Sequence, residues 1–263
     1  MRISQGQDDY YANFLEMNTR ELLDILKKYS TQATFFVLGS VAYKYPKLIK
    51  IISQQGHEVA THGLHHRCIY KSNPEEFRRD VSESVHLLES IITEKVWGFR
   101  APYFSITKDS LWALDILESL GLKYDSSIFP FKRGNLYGIP DSRRFPYRLS
   151  EDFWEFPLAT ARIWHYNIPI GGGGYFRLLP YWFIRGSLRK IDNLSEPAVI
   201  YLHPYEINPA ELRRSFPGES RKFKFIKYSQ AIGRKRIKIK LISLLKEFNF
   251  TSIKGYLSRG KTG

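Results

Sequence analysis

The chain has 263 residues, 43% of them hydrophobic, enough to bury a large core in one α/β domain. Its formal charge of +14 suits nucleic acid, anionic lipid headgroups and acidic polymers equally, because electrostatic steering depends on the sign of the field and not on the partner's identity. The single cysteine, Cys68, excludes an intrachain disulfide and a cluster of thiolate ligands, so any metal must be held by histidine and carboxylate.

No apolar run reaches the roughly 18 residues of a membrane span, and residues 1–11 lack the apolar centre of a secretory leader. The chain therefore reads as soluble, cytoplasmic or peripheral to a membrane. The positive excess is concentrated late, at Arg213, Arg214, Arg221, Lys222, Lys224 and Lys227 and in the run from Arg234 to Lys240. A solvated helix face with a flexible connection explains such a block, and contact with a membrane surface or a polymer is the alternative.

Asn18 or Thr19 is placed to cap a helix through Leu22, Leu23, Ile25 and Leu26. The apolar run Ala33 to Leu38, closed by Gly39, has the pattern of a strand covered on both faces. Pro46 opens a helix that Gly56 ends, and His57 to Thr61 forms the next strand, delivering His62. A long helix runs from Pro74 to about Thr93, with Asp80 and Glu83 outward. Val96 to Phe99 is a strand that delivers Arg100. A helix follows from Thr107 to Leu120, then a strand near Leu122 to Tyr124 with Asp125 just beyond it.

After a loop rich in Pro, Gly and Arg, Trp154 to Phe156 looks extended. Gly171 to Gly174 lacks the Lys-Ser/Thr of a phosphate-binding loop and reads as a flexible loop on the substrate side. A helix from Pro180 to Ile191 leads into a strand, Ala198 to Leu202, that delivers His203. The stretch from Ile237 to Phe248 and then Phe250 to Ile253 looks like a closing helix and strand. Alternating strands and helices imply a parallel sheet with right-handed crossovers. His62, Arg100, Asp125 and His203 then share the C-terminal rim where α/β barrels build their sites.

His62 and His66, four residues apart, can reach one ion, and a catalytic site of the zinc type needs about one more protein ligand and a position for water. Taken alone, the spacing is also met by ordinary histidines satisfied by hydrogen bonds. In Arg100-Ala101-Pro102-Tyr103 the proline fixes the backbone, and the Tyr103 amide is placed to donate to an oxyanion. A plain X-Pro turn with an arginine salt bridge fits the same residues. Asp125 serves equally as a ligand or charge partner at the rim or as a cap of the following turn through Ser126 and Ser127. His57, His86 and His165 show no partner pattern and read as structural.

The ordered set Ala33-Thr34-Phe35-Phe36, Gly56-His57-Glu58, His62-x-x-x-His66, Arg100-Ala101-Pro102-Tyr103-Phe104-Ser105, Tyr124-Asp125-Ser126-Ser127 and Tyr201-Leu202-His203-Pro204 resembles carbohydrate esterase family 4. That family comprises the polysaccharide deacetylases of the nodulation-protein-B type. The likeness is closest to the branch linked to exosortase and exopolysaccharide loci, which also carries the Gly-Gly-Gly-Tyr-Phe-Arg of Gly172 to Arg177. It runs from about Asn18 to about Ile253.

The resemblance implies a distorted (β/α) barrel that removes acetyl groups from an acetylamino-sugar polysaccharide or its precursor with a divalent metal, usually Zn2+. It implies His62 and His66 as metal ligands, His203 as the acid that protonates the leaving amine, and Arg100 as the residue that orients the catalytic carboxylate. Pro102, Tyr103, Asp125 and Leu202 would line the substrate site, with the Tyr103 amide polarising the carbonyl. The domain layout expected is a catalytic domain, residues 1–215, followed by a basic C-terminal extension, residues 216–263. An acetylated polysaccharide or oligosaccharide is the expected partner, and no nucleic acid, since the basic residues lie away from the strand-end rim.

One part of the family pattern has no counterpart. The first strand of the family carries an aspartate pair, the general base and the third metal ligand, whereas Asp8 and Asp9 are the paired carboxylates here and read as a solvated pair. The expectation is a barrel without its first strand, from a chain that begins inside a longer protein or from a diverged member. Two imidazoles alone predict weak metal binding and little activity. The alternative function is a non-catalytic carbohydrate-binding or scaffold protein derived from a deacetylase.

Overall fold

The computed structural model describes residues 5–131, 138–212 and 228–260, with side chains from residue 13 onward. The chain divides into two compact units, one formed by Gln32–Pro169, Lys190–Val199 and Thr251–Gly263, the other by Met1–Thr31, Ile170–Arg189 and Ile200–Phe250.

The first unit is built on a six-stranded sheet: β1 (Thr34–Val37), β2 (Glu58–Thr61), β3 (Gly98–Phe99), β4 (Tyr124–Asp125), β5 (Tyr147–Arg148) and β6 (Trp154–Glu155), in the order β1-β2-β3-β4-β6-β5. All neighbours are parallel except the edge pair β5 and β6. Between the strands lie α2 (Gly39–Lys44), α3 (Pro46–Gln54), α4 (Pro74–Ile92) and α5 (Trp112–Ser119). Helix α4 starts where local chemistry demands: Asn73 accepts from the Glu76 amide while the Glu76 side chain returns to the Asn73 amide, with Pro74 at the first position. It turns Phe77, Val81, Leu88 and Ile92 inward. The antiparallel hairpin β7 (Thr160–Ile163) and β8 (Tyr166–Pro169) follows the sheet.

The register of the parallel strands sets the site. Val37 pairs with Thr61, Thr61 with Phe99, Phe99 with Asp125 and Asp125 with Glu155, so five strands end at one level. Each next residue hangs from the neighbouring strand: His62 N donates to Val37 O at 2.8 Å, Arg100 N to Thr61 O at 3.1 Å, Ser126 N to Phe99 O at 2.9 Å and Phe156 N to Asp125 O at 2.8 Å.

The second unit is helical, with α1 (Gln5–Lys28), α6 (Gly173–Leu178), α7 (Tyr181–Asp192, within this unit as far as Arg189) and α8 (Arg234–Glu247). Helix α1 is longer than its apolar stripe suggests, so Asn18 and Thr19 are interior positions and not caps. Both are buried: Asn18 donates to Glu211 and accepts from Asn208, and Thr19 Oγ1 donates to Leu15 O one turn back.

Several other expected elements come out differently. The strand expected over Ala198 to Leu202 is reduced to isolated bridges, Val199 with Leu158 and Tyr201 with Gly172, because the run changes partner midway and no continuous ladder forms. The closing strand at Phe250 to Ile253 is instead the entry to α9 (Ile253–Arg259) in the first unit. Ser252 caps it, and Thr34 Oγ1 and Glu58 Oε2 accept the Ile253 and Lys254 amides. The glycine run is not a loose loop. A Cβ on Gly172 would lie 2.3 Å from Tyr201, and Gly173 opens α6, so the glycines serve close packing.

The basic run also departs from a wholly solvated face. Arg234 and Lys240 are buried, and Lys240 Nζ donates to the carbonyls of Phe176, Arg177 and Leu179 at the C-terminal end of α6, where a helix leaves acceptors unmet. The basic residues Arg213 to Lys227, and the boundary expected at residue 215, lie outside the described residues. No described helix is long and apolar enough to cross a membrane.

Candidate active site of the sheet unit and the histidine of the helical unit

His62, Arg100, Ser126 and Phe156 follow β2, β3, β4 and β6, and hydrogen bonds join them tip to tip. His62 Nδ1 lies 2.6 Å from Arg100 O. Arg100 Nε donates to Ser126 O at 2.9 Å and its terminal nitrogen to Ser126 Oγ at 2.6 Å, and Ser126 Oγ donates to Phe156 O at 2.6 Å. The Arg100 guanidinium also stacks on Phe36, 4.1 Å from the ring centre. A carbonyl only accepts, so Nδ1 of His62 carries the proton and Nε2 is the nitrogen with a lone pair.

His66 faces His62, with ring centres 5.2 Å apart, and Tyr103 packs edge-on against His66 at 4.5 Å. Tyr103 and Phe104 both adopt positive φ, 57° and 52°, a costly conformation for two bulky residues in succession that turns the backbone after the buried Pro102. The loop from His62 to His66 is pinned by Asp80 of α4, which accepts from Leu64 N at 2.7 Å and His65 N at 3.2 Å and pairs with His65 Nδ1 at 3.0 Å. Asp80 thus turns toward the loop and not outward. A small pocket beside it is lined by His62, Arg67, Phe77, Asp80, Phe99 and Pro102.

Asp125 does not face the rim. It is fully buried, with Ser127 Oγ donating to Oδ1 at 2.5 Å and Ser127 N to Oδ2 at 3.1 Å, because it ends β4 and points down into the sheet instead of lying one residue beyond it. Ser127 Oγ in turn accepts from Ala101 N at 2.7 Å, so this aspartate supports the backbone of the Arg100 to Tyr103 turn. Of the two readings of Asp125 the cap of the following turn holds, whereas the substrate contact is not available to a fully buried side chain. Its strand partner, Glu155, is also fully buried and accepts from Ile128 N at 3.0 Å. Burial raises both carboxyls, and the charge of Asp125 pushes Glu155 further, well above the ordinary range. Sequence reasoning missed Glu155, whose signal was one charge inside the aromatic run Phe153 to Phe156.

His203 and Leu202 belong to the helical unit. Leu202 is half-buried beside the histidine. Pro204 starts a 3₁₀ turn, Pro204–Ile207, that brings Glu206 back to His203: Glu206 Oε2 accepts from His203 N at 2.9 Å and lies 3.2 Å from His203 Nδ1. Arg177 approaches the other carboxylate oxygen at 4.0 Å. Tyr205 stacks on the imidazole at 4.8 Å with planes 16° apart, and the buried Arg234 lies over the Tyr205 ring, 4.9 Å from its centre. Burial alone raises the Glu206 carboxyl, but bonding to His203 and then the charges of His203 and Arg177 outweigh it, leaving it below its ordinary value and ionised.

His62 and His66 fit two positions of a tetrahedral metal site, and the tie of His62 Nδ1 to a backbone carbonyl is the outer bond that orients a metal-binding imidazole. Among the described residues no three His, Cys, Asp or Glu side chains gather as a complete metal-binding group. Asp8 and Asp9 lie on α1, and their side chains fall outside the described residues.

A family model described as polysaccharide deacetylase matches residues 4–124, and a second, a domain of unknown function (DUF3473), matches residues 126–258. Residues 4–124 are a polysaccharide deacetylase domain, and the DUF3473 domain covers the half of the chain that follows. It is 28% identical over 120 residues to a peptidoglycan-N-acetylglucosamine deacetylase of Bacillus cereus, covering 41% of this chain and 44% of that one. It is 35% identical over 100 residues to a chitooligosaccharide deacetylase of Sinorhizobium fredii, covering 38% and 44%. The match thus spans less than half the length of these relatives.

Among solved structures, one from Mycobacterium smegmatis assigned to the polysaccharide deacetylases superposes with a TM-score of 0.60 at 18% identity, covering 96% of this chain and 79% of that one. A carbohydrate esterase family 4 pseudoenzyme from Bacillus anthracis gives 0.50 at 15% identity, covering 92% and 60%. These likenesses show that the chain has the deacetylase fold, the mixed α/β class with a mostly parallel sheet.

Proposed function

We propose that this chain is built to hydrolyse N-acetyl groups from an acetylamino-sugar polysaccharide or its precursor, of the exopolysaccharide type, with a divalent metal, zinc by preference, and that its turnover is impaired by a donor set of two imidazoles. The observation that carries the reading is the oriented pair at the end of β2: His62, tied through Nδ1 to Arg100 O, facing His66. A metal held by these two imidazoles would supply Lewis acidity at the acetyl carbonyl and acidify a water. The chain's own residues supply three further parts, while the aspartate base of the family pattern is not among the residues assigned. Asp80 fixes the ligand loop, the strained turn at Tyr103 presents a backbone amide for the oxyanion, and His203 gives the leaving amine its proton. The activities named for the relatives, on chitooligosaccharide and peptidoglycan, support an acetylated sugar as the substrate class.

The test is acetate release from acetylated chitooligosaccharides by the full chain with added zinc. Release should depend on zinc, vanish with chelator, and fall by about a hundredfold or more in His62→Ala and in His203→Ala. Release that persists unchanged in chelator and in both variants would sink the proposal. A second reading, a carbohydrate-binding protein without turnover, is favoured by the two-imidazole donor set among the described residues. Saturable binding of the same oligosaccharides with no acetate release would establish it.

A further inference from the structure

The family motif around His203 explains a histidine at that place but not the charged residues packed beneath it. The imidazole is half-exposed, 47% by side-chain area, whereas the carboxylate it touches is 2% exposed. One oxygen of Glu206 accepts twice from the same residue, from the backbone amide and at Nδ1. An amide can only donate, so the oxygen facing it must accept, and an ionised carboxylate has no proton to give back. Nδ1 is therefore the protonated nitrogen, and Nε2, on the far side of the ring, is left for chemistry. Tyr205 stacks on the ring face and Tyr201 packs edge-on at 5.7 Å.

Resting on the deacetylase reading, we propose that Glu206 is the positioning residue for His203, fixing its tautomer and ring orientation, and that Arg177 of the Gly-Gly-Gly-Tyr-Phe-Arg motif anchors Glu206. The motif gains a physical task. Gly172 allows Tyr201 to approach, α6 then delivers Arg177 to the Glu206 carboxylate, and Lys240 holds the end of α6 through the Arg177 carbonyl. In the step that expels the amine, its bond to the acetyl carbon breaks, the Nε2–H bond of the imidazolium breaks and an N–H bond forms on the leaving nitrogen. The other proton stays on Nδ1, donated to Glu206, throughout. The ring regains its Nε2 proton from water before the next turnover.

Long-range proton–nitrogen correlation spectra of the full chain, labelled at histidine and recorded above neutral pH where an ordinary imidazole is uncharged, read the tautomer directly. His203 is expected as a single tautomer protonated on Nδ1. Glu206→Ala should lose that pattern with the other histidines unmoved. Glu206→Gln should keep it, because the His203 amide still selects the side-chain oxygen. A wild-type ring protonated on Nε2, or a pattern unchanged in Glu206→Ala, overturns the inference. The wild-type spectrum decides alone if the alanine variant does not fold. Failure to release acetate counts against deacetylation and leaves this readout intact, so the two failures are separable.

Discussion

Asp80 shows how much of this site is held by a side chain that is neither ligand nor acid. Its carboxylate receives two consecutive amides of the loop that carries His62 and His66, and the side chain of His65 between them. Replacing it leaves those amides to water and lets the loop relax. Asp80→Ala is expected to cost about 1–3 kcal/mol of stability by urea unfolding. It should also weaken zinc binding at least about tenfold, the scale of losses when an orienting partner is removed. Calorimetric zinc titration showing wild-type affinity in this variant would refute the role. His62, His66, Arg100 and His203 were legible in the sequence because each sits in a short motif after an apolar run. Asp80, Glu155 and Glu206 were not, since an isolated acid on a helix, in a strand or in a turn looks like solvated charge until its partners are known.

At the scale of elements, the strand ends are aligned by packing that tolerates no enlargement. Gly98 of β3 lies against Tyr124 of β4, where an added Cβ would fall 1.9 Å from the ring, and Tyr124 must stay because its hydroxyl donates to the buried Glu58 at 2.8 Å. Gly98→Ala must push the ring or the strand aside. The expected cost is about 1–3 kcal/mol from overpacking, measured by thermal or urea unfolding. Because Phe99 and Arg100 follow directly, the variant should also bind zinc more weakly. The strands were readable as apolar runs ended by Gly or Pro. The fate of Ala198 to Leu202 was not, because ladder formation depends on whether one partner strand runs alongside, and that is set by distant chain.

For the whole molecule, the buried carboxyls make opposite contributions to pH stability. Asp125 and Glu155 are raised in the folded state by burial, so above the ordinary carboxylate range the folded chain holds protons that the unfolded chain has released. Stability from this pair falls as pH rises from that range toward the raised native values. Glu206 is lowered, so its contribution is present above its ordinary value and is lost as pH falls through the lower native one. Glu155→Gln, which keeps the shape without the titration, should flatten the decline on the alkaline side of the ordinary carboxylate range while leaving the acid-side loss in place. Urea unfolding across a pH series would show it, and a decline as steep as in the wild type would refute the assignment to this pair.

The amino-acid sequence by itself determined the alternation of strands and helices through β4, the places of His62 and Arg100 after β2 and β3, and the deacetylase motifs, because apolar periodicity and short motifs are local properties of the chain. Tertiary structure alone decided which acids support the site. Burial turned Asp125 from a rim residue into a support under the Arg100 turn, raised the Glu155 carboxyl, and set Glu206 and Arg177 beside His203. It also took Arg234 and Lys240 out of the basic surface and made them structural. The physical reason is common to all of these: a charged side chain's role is set by the water it loses and the partners it meets, and neither is encoded in its neighbours along the chain.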